Sequence, residues 1–289
     1  DLIINPRDGN VYYWDRTAST IGNFQRAVPL STLSGASDTP TVAKQILVSD
    51  RDRHVIAFGC DPITEPGVQD PMLIRFSDQE NIANWTPEAT NTAGDLRIDS
   101  GSEIIAAVET RQQVLVYTDV SLYAMQYLGT PFTFGINLIS ENITLSGPEA
   151  LVASDDQVFW MGREEFYVYN GSVQRIPCTV RGYVFDDFNV SQRAKVVAGL
   201  NSAHSEVWWF YPSSTSPANN RYVIYNYEEN LWYYGDLMRA GWIDRGVYDT
   251  PIGAGLDGYL YSHETGFDDG STTPATPIDS YIQSSPLDI

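Results

Sequence analysis

Residues 150–177 read ALVASDDQVFWMGREEFYVYNGSVQRIP, and they decide the fold. The stretch parses into four short strands and three tight turns. ALVAS is an apolar run ending in small residues. Ser154-Asp155-Asp156 supplies turn chemistry, because Asp and Ser side chains bond their own backbone and tolerate turn dihedrals. QVFWM is rich in residues that fit a pleated, half-buried surface. Gly162-Arg163-Glu164 reverses the chain and EFYVY follows. Asn170-Gly171 is a strong hairpin signal, and SVQRI closes the unit. A meander of about thirty residues cannot bury its own faces, so it must stack on neighbours of the same kind.

The rest of the chain supplies those neighbours. The pattern is an apolar run with a small residue, a polar turn, then Val and aromatics. It recurs in LIINPRDGNVYYWD (2–15), ILVSDRDRHVIAFG (46–59) and IIAAVETRQQVLVYTD (104–119). It recurs again in VVAGLNSAHSEVWWFYP (196–212) and IGAGLDGYLYSH (252–263). The residues opening each second strand are read as Val11, Val55, Val114, Val158, Val207 and Tyr259. Their spacings are 44, 59, 44, 49 and 52, a mean of about 50, and periods of about 40 to 50 residues with four strands each indicate β-propeller blades. A β-sandwich also turns every 8 to 12 residues or so, but a long period running end to end favours the propeller. The expected fold is therefore all-β, a single propeller domain over 1–289 with about six four-stranded blades. Five or seven stay open because the terminal units are incomplete.

The second half of the unit is read in MLIRFSDQENIANWTP (72–87) and RYVIYNYEENLWYYG (221–235). Each is a strand, a polar turn, then Asn with Trp close behind. SLYAMQYLGTPFTFGINLIS (121–140) is a looser version. Helix is expected only as a turn or two at 78–83 and 189–194. Residues 17–40 read as a long excursion from the first blade, and 88–96 as a link between the second and third units. Residues 60–70, 212–220 and 266–277 read as loops on the propeller rims, where binding surfaces concentrate. The chain opens inside an apparent strand and stops after another, SYIQSSPLDI, so the sequence is expected to be the ordered part of a longer polypeptide.

Composition limits the chemistry. The net charge is −20, from 37 acidic and 17 basic residues. Only Lys44 and Lys195 are Lys; the other fifteen are Arg. Arg suits fixed, planar, paired contacts, so internal ion pairs or subunit interfaces are expected. Tight duplex binding needs clustered cations to displace counterions, and no such cluster occurs. From Asp244 onward eight acids face one Arg. A DNA-gripping role is rejected, whereas an acidic surface suits a conduit that DNA must traverse without sticking. Eighteen Tyr and seven Trp suit packing between sheets or large interfaces.

No residue set points to catalysis. Cys60 and Cys178, with single His at 54, 204 and 263, match no metal spacing. The two thiols read as buried and free, although a pair stays open. Asp186-Asp187 and Asp268-Asp269-Gly270 lack a calcium-loop pattern. Glu164-Glu165 and Glu228-Glu229 sit at hairpin turns, and no acid has the apolar setting of a general acid. Nucleophile-elbow and phosphate-loop motifs are absent. Trp208 and Trp209 point to opposite faces of a strand, so at most one is exposed. No apolar run approaches the ~20 residues of a membrane span. The expectation is no enzyme, and no catalytic, cofactor-binding or metal residues.

Two stretches, NIANWTPEATNTAGDLRIDSGSEIIAAVETRQQVLVYTDVSLYAMQY and VFWMGREEFYVYNGSVQRIPCTVRGYVFDDFN, carry a resemblance. The chain resembles the tail nozzle, or packaged-DNA stabilisation, proteins of short-tailed (podovirus-type) bacteriophages over most of 45–266. The likeness is one of pattern and phrase, and segments that would form platform or tip domains are missing. It implies a virion structural protein made in the bacterial host cytoplasm. It implies a homo-oligomeric ring, usually of six subunits, that closes the DNA channel, retains packaged DNA and conducts it at ejection. It also implies contacts with a tail adaptor above and with fibre or needle proteins below. The alternatives are a receptor- or carbohydrate-binding propeller at the tail tip and, further off, a glycoside hydrolase.

Overall fold

The structure is a computed structural model, and it describes residues 1–18, 25–155, 157–267, 274 and 276–277. The chain forms six antiparallel sheets arranged as the blades of a six-bladed β-propeller. Blade one holds β1 (Leu2–Ile4), β2 (Tyr12–Trp14) and β3 (Val28–Pro29). Blade two holds β4 (Ala43–Val48), β5 (Val55–Cys60), β6 (Leu73–Phe76) and β7 (Gly94–Arg97). Blade three holds β8 (Ile104–Glu109), β9 (Val114–Thr118), β10 (Ser121–Gly129) and β11 (Thr133–Glu141). Blade four holds β12 (Leu151–Ser154), β13 (Gln157–Met161), β14 (Phe166–Tyr169) and β15 (Val173–Ile176). Blade five holds β16 (Val197–Asn201), β17 (Glu206–Tyr211), β18 (Arg221–Asn226) and β19 (Leu231–Asp236). Blade six holds β20 (Gly241–Ile243), β21 (Ile252–Ala254) and β22 (Leu260–Ser262). Strands follow chain order within each blade. The first strand of a blade packs on the first strand of the next, from β4 through β8, β12 and β16 to β20.

The four strands of the deciding stretch form as read; Asp156 in its first turn lies outside the described residues. Trp160 sits opposite Leu151 on one side and Tyr167 on the other, and Gly171 takes the positive φ of 97° that its turn demands. The apolar faces meet between blades. One cluster, built on Tyr117, Trp160, Phe166 and Trp209, joins blades three, four and five. Others join blades one with two, two with three, and five with six. Trp208 and Trp209 do point to opposite faces, yet both are buried. Trp209 is in the larger cluster, and Trp208 stacks on Trp242 with ring centroids 5.3 Å apart.

Polar groups stitch the same seams. Gln45 donates to the Ala107 carbonyl at 2.7 Å and accepts from its N–H at 2.8 Å, tying β4 to β8. Three indoles reach across to a neighbouring blade: Trp209 to Ala150 O at 3.1 Å, Trp232 to Pro177 O at 2.9 Å and Trp242 to Leu200 O at 2.7 Å. Each is an apolar body with one donor, and a carbonyl partner offsets the cost of taking that donor out of water.

Several strand positions differ from the sequence reading. In blade six IGA is the second strand, not the first. The first is Gly241–Ile243, three residues too few to register as a pattern. The second half of blade two was misread at NIANW, which is a turn. There Trp85 is buried between blades one and two with Ile82 packed nearby. The true outer strand is Gly94–Arg97, overlapping the end of the supposed link. The excursion after blade one contains β3 and the fully buried Leu30. Residues 78–83 form no helix, but Val190–Lys195 is a 3-10 helix capped by Asn189, and a short helix, α1 (Arg181–Phe185), was not anticipated. The first and last blades have three strands among the described residues. The terminal SYIQSSPLDI, 280–289, lies outside them.

Gly199 is the tightest fit in the seam between blades five and six. A Cβ there would meet Trp242 side-chain atoms at 2.2, 2.5 and 2.8 Å. Gly199→Ala should therefore cost about 1–3 kcal/mol by overpacking, read as a lower urea midpoint. Gly246→Ala, where an added Cβ meets nothing within 4 Å, should shift stability by less than about 0.5 kcal/mol.

Candidate functional site

Of the carboxylate pairs singled out by sequence, Glu164-Glu165 is taken up by arginines and Glu228-Glu229 is exposed on a turn. Glu165 lies 3.2 Å from Arg181 and 3.6 Å from Arg175, and Glu164 lies 3.5 Å from Arg181. Glu228 and Glu229 are exposed on the turn before β19, the outer strand of blade five, whose backbone is held by the Asn226 side chain. Neither pair is on a first strand near the axis. Asp187 is bound by Ser214 and Arg221, which hold its carboxyl below the usual range, Ser214 most strongly. Asp268-Asp269-Gly270 lies outside the described residues. Among the described residues no three His, Cys, Asp or Glu are placed to hold a metal ion, and no helix is long and apolar enough to cross a membrane.

The thiols are free and chemically quiet. Burial pushes Cys60 up to about 12 and Cys178 up to about 11, so neither offers thiolate at neutral pH. His54 is fully buried among Phe76, Tyr127 and Phe134, 3.1 Å from the Thr92 hydroxyl. His204 is exposed. His263 stands behind a cleft wall, bonded to Arg239, which lines it.

That cleft, about 700 Å³, lies between blades five and six. Blade five contributes Asn220 and Arg221, the connection to blade six contributes Met238 and Arg239, and the turn before β22 contributes Leu256 and Asp257. Arg239 is held on three sides. Its Nε donates to His263 Nε2 at 2.9 Å, its Nη1 donates to Met238 O at 2.7 Å, and its guanidinium lies 4.3 Å over the Tyr261 ring. Gly253 makes this possible, since a Cβ there would meet Arg239 and His263 atoms within 2.7–2.8 Å. Across the cleft Arg221 binds Asp187 and lies 3.4 Å from Asp236. The Tyr261 hydroxyl donates to Asp257, which also accepts from Tyr259 N at 3.1 Å. These two bonds hold the Asp257 carboxyl below its usual range, Tyr261 most strongly.

Sequence reading did not find this site. The signal available was the Arg-rich basic set, which pointed to fixed planar contacts without saying which Arg makes them. His263 matched no motif, and its role in fixing a buried guanidinium comes only from tertiary contact.

Burial, and then the neighbouring Arg239 charge, push His263 down to about 4. The unfolded chain takes up this proton near pH 6.5, while the folded chain takes it up only near 4. The unfolded state therefore binds more protons between those values, and stability falls as pH drops from about 6.5 to about 4. His263→Gln keeps an acceptor and removes the titration. Urea midpoints of the wild type should fall more steeply over this range than those of the variant; equal slopes would contradict the assignment.

No protein-family model and no curated protein matches the chain. Solved structures that align with it include Hsv2 of Kluyveromyces marxianus, 9% identical with a TM-score of 0.49, covering 88% of this chain and 69% of that one. Hsv2 of Kluyveromyces lactis is 10% identical with a TM-score of 0.47, covering 90% of this chain and 69% of that one. A provisionally assigned 6-phosphogluconolactonase of Bacteroides fragilis is 9% identical with a TM-score of 0.49, covering 91% and 79% respectively. Likeness at this level carries no inference about activity or partners.

Proposed function

We propose that this chain is a structural subunit of a short bacteriophage tail, in the nozzle ring that closes the DNA channel. In that ring, taken as six copies, it retains packaged DNA and conducts it at ejection. The tail adaptor sits above it and fibre or needle proteins below. The observation that carries the reading is apolar surface left exposed at the outer rim of an acidic chain. β10 and β11 are nine residues each, longer than any other strand, and Leu128 and Phe132 near the joining turn are 59% and 73% exposed. The outer strand β19 leaves Leu231, Tyr233 and Tyr234 exposed. Exposed apolar patches of this kind mark protein interfaces, and Tyr suits them by combining area with a polar tip.

The net charge of −20 fits the other half of the role. Without clustered cations there is little counterion release to hold a duplex, so DNA slides past. The first strands of neighbouring blades touch and share hydrogen bonds, as at Gln45 and Ala107. The conduit in this reading therefore runs between subunits, lined by their acidic surfaces, and not down the axis of one propeller. A second reading, a carbohydrate-binding propeller at the tail tip, is favoured by one feature. A smaller cleft between blades three and four is lined by uncharged groups, among them Thr110, Gln113, Gln157, Tyr169 and Asn170.

The test is assembly. The purified chain should form rings by light scattering and negative-stain imaging, and it should lie on the tail axis in images of virions. Phe132→Asp or Leu231→Asp should disperse the rings into folded monomers with little change in Tm. A monomer at every concentration that binds glycans on an array would support the second reading and overturn the first.

A further inference from the structure

Arg239 is a buried cation with no directly paired carboxylate; Asp257 acts on it only as a nearby charge. Arg239 is 8% exposed, and among the described residues no carboxylate lies within ion-pairing distance of it. Its Nε and Nη1 are used, while its Nη2 makes no hydrogen bond among those residues. Charged groups taken out of water are normally paired, because desolvation costs several kcal/mol per ion. The Tyr261 ring offsets part of this and His263, an acceptor here, carries no negative charge. The nearby acids are engaged elsewhere, Asp257 with Tyr261 and Asp236 with Arg221. Arg75 gives the contrast. It is also deeply buried, but both its terminal nitrogens bond backbone carbonyls, of Asp61 and Asp38.

Arg239, by contrast, forms part of the wall of the cleft between blades five and six. Its guanidinium is oriented in advance by His263, Met238 O and Tyr261, so little side-chain freedom remains to be lost on binding. The adjoining wall is apolar, with Met238 and Leu256 about half exposed at 55% and 47%. We propose that this cleft is a receptor for a carboxylate carried on a short apolar stem, with Arg239 as its anchor and Met238 and Leu256 as the bed for the stem. The charge of the ligand is limited by its surroundings. Asp236 and Asp257 flank the same cleft, so a phosphate dianion meets more repulsion than a single carboxylate does. The carboxylate has two sources of the same chemistry, a free small acid or the carboxyl end of a polypeptide. The inference is independent of the tail reading.

The experiment titrates the intact protein with butyrate, with N-acetyl-leucine and with inorganic phosphate. It follows the Arg239 Nε–H resonance and the heat of binding. Butyrate and N-acetyl-leucine should bind saturably and shift that resonance, and phosphate should bind more weakly. Tighter binding of N-acetyl-leucine than of butyrate assigns the polypeptide source, and the reverse order assigns the free acid. Arg239→Gln should weaken carboxylate binding about ten-fold or more, the scale of a lost charge-assisted bond. Leu256→Trp, a change at a half-exposed position, should block the cleft with Arg239 intact, and it carries the test if the Arg239 variant does not fold. Butyrate binding that survives both changes, no saturable binding to the wild type, or tighter binding of phosphate would each overturn the proposal.

Discussion

Blades two to five are apolar on both faces, and neither face can be buried except against another blade. β17 makes the point in two adjacent residues. Trp209 faces the cluster shared with blades three and four, and Trp208 faces the one shared with blade six. A buried Trp withdraws about 200 Å² from water, worth about 5 kcal/mol, and all of it is lost if the neighbouring blade is absent. Packing between blades is therefore the source of the stability, and it also explains the placement of the Trp209, Trp232 and Trp242 donors, each aimed at a carbonyl of the preceding blade. The same constraint forces Gly199 to lack a side chain where Trp242 crosses.

Much of this was legible from the chain alone, and the reasons are physical. Asn170-Gly171 specifies its turn locally, and QVFWM and EVWWFY specify strands by composition. A period of about 50 residues shows because every blade solves the same burial problem. What misled was local similarity without equivalent environment. NIANW resembles the end of NLWYY, yet Trp85 plugs the seam beneath blades one and two while Trp232 lies on an outer strand. The strand that does close blade two, Gly94–Arg97, is GDLR, half polar because its alternate residues face solvent. β20 was missed for a related reason: three residues leave no period to detect, and its first is a Gly.

The cleft between blades five and six was illegible for another reason. Arg239, Gly253, Tyr261 and His263 come from a connection and two different strands or their ends, and no spacing links them. Their association follows from one fact of the fold, that β21 places Gly253 where Arg239 must pass. Sequence could announce that Arg residues were set aside for fixed contacts, but only packing selects which of them is left without a carboxylate. Charge was legible as a total and as an absence of basic clusters. Exposed apolar side chains at the rim, such as Phe132, were not, because exposure depends on which strands overrun their blade.

Dependence of every blade on its neighbours can be read directly by native-state hydrogen exchange on the intact chain. The slowest amides of β9, β13 and β17, in three different blades, should open with one shared free energy, agreeing within about 1 kcal/mol, because losing one seam exposes the next. Graded values, with one blade exchanging well below the others while the rest stay protected, would contradict the account, since each sheet would then hold itself together.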